Sequence, residues 1–87
     1  MRLILILNAG SSSVKCALMQ IDEQGIAHDL ARGAIDGLGQ NAEFSMRFMD
    51  GHPAIKEEMP TGSHTSHKEA LKLILDTVDR LYGLSSL

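Results

Sequence analysis

Two apolar runs with a polar stretch between them constrain this chain more than any other feature. Leu3–Leu7 is an unbroken series of Leu and Ile, and Val14–Ile21 is a second apolar run broken only by Lys15 and Gln20. Between them lie six small or polar residues, Asn8-Ala9-Gly10-Ser11-Ser12-Ser13. A continuous apolar run is how a strand covered on both faces reads, though in so short a run periodicity alone does not exclude helix. Any loop must turn the chain, but few turns need an amide, a glycine and three consecutive hydroxyls.

The rest of the chain supplies strand punctuation. Asp22-Glu23-Gln24-Gly25 has turn chemistry, with a glycine free to take positive φ. Ile26–Ile35 reads as a third strand of mixed polarity, and Gly37 and Gly39 mark the loop after it. Ala42, Phe44, Met46 and Phe48 alternate with Glu43, Ser45 and Arg47, giving a fourth strand one apolar and one polar face. Asp50-Gly51 predicts a two-residue type I′ hairpin. His52–Met59 would return antiparallel, and Pro53 near its start suggests a sheet edge. Pro60-Thr61-Gly62 then ends the strand region.

Ser66-His67-Lys68-Glu69 has the capping-box pattern. Leu71, Ile74, Leu75, Val78, Leu81 and Tyr82 follow at the spacing of an amphipathic helix, which Gly83 is placed to end. The expected fold is therefore α+β: about five mostly antiparallel or mixed strands, then one helix. One helix covers only one face of such a sheet, whereas Leu3–Leu7 asks for cover on both. The chain reads as the beginning of a larger protein, and its closing YGLSSL carries no logic that ends a domain.

Composition narrows the function classes. Eighty-seven residues make at most one small domain, and 44% apolar content suits a globular chain rather than a disordered one. A formal charge of −3, with the eight Lys and Arg scattered, argues against nucleic acid or an acidic membrane as partner. Leu3–Leu7 is shorter than the roughly 7–15 residues of a secretion-signal core. No segment approaches the roughly 20 apolar residues of a membrane span. Cys16 is the single cysteine, so no internal disulfide forms; in its apolar run it acts as a small hydrophobe. These features predict a cytoplasmic protein.

Phosphate oxygens need short donors around them and no bulky side chain in the way. Gly10 permits close approach of the backbone, Ser11, Ser12 and Ser13 offer hydroxyls and amides, and Lys15 adds a mobile charge. Asn8 can turn a carbonyl oxygen toward a metal-bound water or an amide toward phosphate. The plain alternative is a polar hairpin loop with a solvent-facing lysine, and the residues alone leave both readings open. A Walker A loop is excluded, because Val14 precedes Lys15 where that motif needs glycine, and strand follows where it needs helix.

The stretch LILNAGSSSVK, Leu5 to Lys15, resembles the N-terminal signature of the acetate kinase (acetokinase) family. That family belongs to the acetate and sugar kinase, Hsp70 and actin superfamily, with a ribonuclease H-like fold. The strand order and the SHKEALKLILDTV helix are also similar to the family's first segment. The resemblance implies that residues 1–87 form the N-terminal portion of the first actin-like domain, the remainder and a second domain being absent. It implies ATP and Mg²⁺ as cofactors, with a β-hairpin turn that approaches the ATP phosphates. On that reading Asn8 lies near phosphate and Mg²⁺, Ser11 and Ser13 match hydroxyls in phosphate or metal-water contacts, and Lys15 matches the motif lysine. Gly10 and Ser12 complete the phosphate-binding turn. The implied partners are ATP and a short carboxylate, and the implied parent is a homodimer.

NAGSSS favours acetate or propionate kinase over butyrate kinase, whose turn more often carries proline and threonine. The family's carboxylate-binding arginines, catalytic aspartate, metal-associated glutamate and adenine pocket belong to later sequence. No catalytic residue is therefore assigned here, and Arg2, Arg32, Arg47 and Arg80 read as surface charges. The rival from another class is a truncated, non-enzymatic module that keeps the hairpin and binds nothing productively. His64 and His67 form an HxxH pair without a cysteine to complete a ligand set, and read as polar residues beside a helix cap. Glu57 and Glu58 alternate across a strand and cannot act together.

Overall fold

The computed structural model describes residues 2–39, 41–59, 66–83 and 85. Five strands are followed by one helix: β1 Arg2–Ala9, β2 Ser13–Ile21, β3 Ala27–Asp36, β4 Glu43–Phe48, β5 Ile55–Glu58 and α1 His67–Tyr82. The strands form a single sheet in sequence order, every neighbouring pair antiparallel. Each strand is connected to its neighbour by a short turn or loop, so local hydrogen bonding alone builds the meander. The expected α+β order is the observed one.

Register decides which residues share a face, because directly opposed residues in an antiparallel pair point the same way. Leu3, Leu5, Leu7 and Ala9 of β1 face Gln20, Leu18, Cys16 and Val14 of β2. Val14, Cys16 and Leu18 in turn face Ile35, Gly33 and Ala31, which face Phe44, Met46 and Phe48. This is the core face. Leu3, Val14, Leu18, Ile35, Phe44 and Met46 are buried there with Ala70, Ile74 and Val78 of α1. Fully burying Ile74 or Val78 stabilises the fold by about 1.5–3 kcal/mol each. A bulge between Leu18 and Met19 sets one extra β3 residue, Leu30, against β2 and sharpens the local twist.

The helix crosses the sheet from the β1–β2 turn to the β4–β5 connection. At its start Ser66 caps, its hydroxyl accepting from the Glu69 amide at 3.2 Å. At its end Tyr82 donates to Asp50 Oδ2 at 2.8 Å, and the Phe48, His52 and Tyr82 rings gather with centroids 5.5 to 6.5 Å apart. Gly83, at φ 83°, closes the last turn by donating to the Asp79 and Val78 carbonyls.

Three expectations need correcting. Leu3–Leu7 is not covered on both faces: β1 is an edge strand, and Ile4 and Ile6 are 44% and 49% exposed. One helix shields one face, and nothing among the described residues covers the other. Asp50-Gly51 is not a two-residue turn either. Only Gly51 takes positive φ, and pairing resumes at Ile55. Asp50 Oδ1 instead accepts from the His52 amide at 3.3 Å, and Pro53 has no amide proton to give a ladder. Finally, the buried stripe of α1 is Ala70, Ile74, Thr77 and Val78, while Leu71 is 36% exposed. The small Ala70 lets the helix approach the sheet, and the Thr77 hydroxyl donates to the Leu73 carbonyl at 2.8 Å, which makes its burial tolerable.

Candidate functional site

The β1–β2 hairpin brings the polar stretch together at one end of the sheet. Asn8 stands directly opposite Lys15, and strand alternation places Ser13 on the same face as both. That is the open face, away from α1. Gly10, Ser11 and Ser12 form the turn and are exposed; Ser13 is half-buried. Across β2, Ser13 faces Asp36 and Lys15 faces Ala34.

Three bonds to main-chain groups hold this turn while leaving its side chains outward. The Gly10 amide donates to the Ser13 carbonyl at 2.8 Å. The Leu38 amide, from the β3–β4 loop, donates to the Ser12 carbonyl at 2.9 Å. His67 Nε2 lies 2.6 Å from the Gly10 carbonyl. A carbonyl only accepts, so that nitrogen carries the proton. Position 10 is tight: an added Cβ would sit 3.1 Å from Ser13 Oγ, which would have to shift to admit it. The turn is therefore shaped by backbone, with the Ser11 and Ser12 hydroxyls and the Lys15 ammonium exposed to solvent.

The arrangement suits an anion. Hydroxyls and amides on a fixed turn, with one cation on the flanking strand, solvate negative charge without a bulky obstacle. Mg²⁺ takes oxygen ligands and keeps several waters. Asn8 Oδ1 and the Ser13 hydroxyl are oxygen donors of that kind, with the Asp36 carboxylate opposite Ser13. That set fits contact through water to an ion carried by phosphate rather than a protein cage. Among the described residues no three His, Cys, Asp or Glu side chains gather around a metal position. Cys16 lies on the core face, buried, and desolvation pushes its thiol up, so it remains a neutral packing group.

The candidate residues of the sequence, Asn8, Gly10, Ser11, Ser12, Ser13 and Lys15, all lie on one hairpin. Sequence reasoning missed His67 and Leu38 as supports of the turn. In sequence His67 pairs by spacing with His64, which lies outside the described residues, and its contact to Gly10 spans 57 positions, where no local pattern signals it. Asp36 was also missed, since only the β2–β3 register puts it across from Ser13.

Residues 3–85 match the Acetokinase family. The chain belongs to that family. Among its relatives, the acetate kinase of Rhodopseudomonas palustris strain TIE-1 is 32% identical over 80 residues, 91% of this chain and 20% of the relative. The acetate kinase of Thermotoga petrophila is 35% identical over 83 residues, covering 93% of this chain and 19% of its own. That of Natranaerobius thermophilus is 32% identical over 75 residues, covering 86% and 17%. The chain thus spans about one-fifth of the length of the curated relatives it matches. No solved structure gives a significant match. An antiparallel five-stranded sheet closed by one helix accords with the ribonuclease H-like, actin-like start of an acetokinase.

Proposed function

We propose that this chain is the phosphate-binding N-terminal segment of a carboxylate kinase. The reaction is transfer of the γ-phosphoryl group of ATP to acetate, reversibly forming acetyl phosphate and ADP; propionate is the alternative acceptor. The observation that carries the reading is the anchored turn, which keeps Asn8, Ser13 and Lys15 on one open face beside exposed hydroxyls.

In phosphoryl transfer the protein contributes positioning and charge stabilisation more than covalent chemistry. The Gly10–Ser13 turn would hold phosphate oxygens through the Ser11, Ser12 and Ser13 hydroxyls and the amides of the turn. Lys15 would offset the charge that spreads over the transferring group. Asn8 and Ser13 would orient a Mg²⁺-bound water, the ion itself supplying electrostatic stabilisation when bound. Asp36 stands across the ladder from Ser13, but a run of three hydroxyls on one turn suits charge solvation better than one activated nucleophile, so the serines would serve as solvating groups rather than phosphorylated intermediates.

Amide NMR of the chain titrated with Mg²⁺ and a non-hydrolysable ATP analogue tests this reading. Shifts centred on residues 8–15, absent with adenosine, support it. Shifts spread evenly over the surface, or none at millimolar ligand, would contradict it.

A further inference from the structure

The first turn of α1 lies over the β1–β2 hairpin, and one side chain reaches from it to the polar turn. His67, Ala70, Ile74 and Val78 are spaced to share one stripe of the helix. Ala70, Ile74 and Val78 pack into the core. His67 overhangs the rim, where the sheet gives way to the Gly10–Ser13 turn, so what it meets there is main chain. Its Nε2 donates to the Gly10 carbonyl at 2.6 Å.

We propose that His67 is a positioning residue of the phosphate turn, which draws the Gly10 carbonyl to the helix side and so presents the Ser11 amide to an anion on the open face. The role rests on the phosphate reading of the turn and adds what aims its donors. The peptide bonds of the described residues are all trans. In a trans peptide the N–H points opposite to the carbonyl of the same unit. The Gly10 carbonyl points toward α1, so the Ser11 amide points away from it, to the face that carries Asn8, Ser13 and Lys15. The Ser12 carbonyl is held in the same manner. Leu38 donates to it at 2.9 Å from the β3–β4 loop, and the Ser13 amide points back across the turn. Two carbonyl oxygens that would repel phosphate are thus kept on protein donors, and the amide dipoles behind them are aimed the other way.

Without its donor the Gly10 carbonyl can rotate, and a glycine resists that rotation least. An oxygen swung to the open face would stand where an anion needs a proton. The imidazole suits the task. It has few rotors to order, where a lysine of similar reach has many. Nε2 carries a proton both in the charged ring and in the neutral tautomer that this bond selects, so the anchor needs no particular charge state.

Amide NMR of the whole chain titrated with Mg²⁺ and inorganic tripolyphosphate tests the role in the wild type, His67→Gln and His67→Met. His67 is exposed, so neither change disturbs the core, and circular dichroism verifies the fold. Glutamine carries an N–H at nearly the reach of Nε2, whereas methionine has the length of glutamine and no proton to give. The expected affinity is within about threefold of wild type for His67→Gln and about tenfold or more weaker for His67→Met. In His67→Met the ligand-induced shift of the Ser11 amide should be lost while that of Ser13, which Leu38 sets, persists. Equal affinities for the two variants, or a Ser11 shift kept in His67→Met, would overturn the role and leave the phosphate reading standing. No response at residues 8–15 of the wild type would overturn both.

Discussion

Individual residues around the hairpin divide into those that shape the turn and those the turn presents. His67 belongs to the first group. His67→Ala removes the donor to the Gly10 carbonyl and should cost about 0.5–1.5 kcal/mol of stability. Hydrogen exchange of the amides at 10–13 should quicken by more than at 27–36, which a uniform loss of stability would not produce. Asp50 acts at the far end of the helix. Its carboxyl is held below the ordinary carboxylate range, first by the hydrogen bond from His52 and also by that from Tyr82, against some desolvation. The folded pKa is thus below the unfolded one. Its stabilisation is complete above the unfolded value, about 3.9, and is lost as pH falls through the folded value. Asp22, lowered first by its bond to His28, adds to the same acid limb. Asp50→Asn should therefore lower Tm near neutrality and leave it almost unchanged in acid, once pH is below the folded value and the carboxyl is protonated, measured by thermal melts from neutral to strongly acid pH.

Elements succeed or fail on how their neighbours approach. Gly33, in the middle of β3, lies opposite Cys16 and Met46. A Cβ there would stand 3.0 Å from both Cys16 Sγ and the Ser45 carbonyl oxygen. Gly33→Ala should destabilise by about 1–3 kcal/mol through overpacking, read as a drop in urea midpoint; a midpoint at or above wild type would show that the sheet yields. That crowding was invisible in sequence, because it depends on register. What was legible was what residues say locally. The alternation of Phe44, Met46 and Phe48 announced β4, and Ser66 and Gly83 marked the ends of α1. Legibility stopped where packing chose among equals. Ala70 and Thr77 took the core side of α1 that Leu71 and Leu75 were expected to share, because a close helix–sheet approach favours small residues. Likewise LILIL read as a doubly covered strand, and no pattern within it indicated which face would stay open.

For the whole molecule, the hairpin would offer one wall of the proposed phosphate site, on a chain one-fifth as long as its acetokinase relatives. One wall positions little, so the chain alone should give no hydroxamate above blank when incubated with ATP, Mg²⁺, acetate and hydroxylamine. Turnover that copurifies with it would refute this. That the six residues share one hairpin was readable in advance, because two apolar runs around a short polar stretch are a local signal. The supports from Leu38 and His67 were not, since they arrive from elements distant in sequence. The central claim is that NAGSSS is a site rather than a turn. Its most direct test exchanges this chain for the aligned N-terminal segment of the Thermotoga petrophila acetate kinase and compares Asn8→Ala with the unsubstituted chimaera. A donor aimed at transferring phosphate is worth about 2.7–4 kcal/mol in the transition state, by analogy with oxyanion-hole donors. An exposed turn residue contributes within about 0.5 kcal/mol to folding. The account predicts a fall in kcat of about 100-fold or more at nearly unchanged Tm, with Gln24→Ala in the β2–β3 turn moving neither. A kcat within a few-fold of the parent chimaera, with the fold intact, would contradict it.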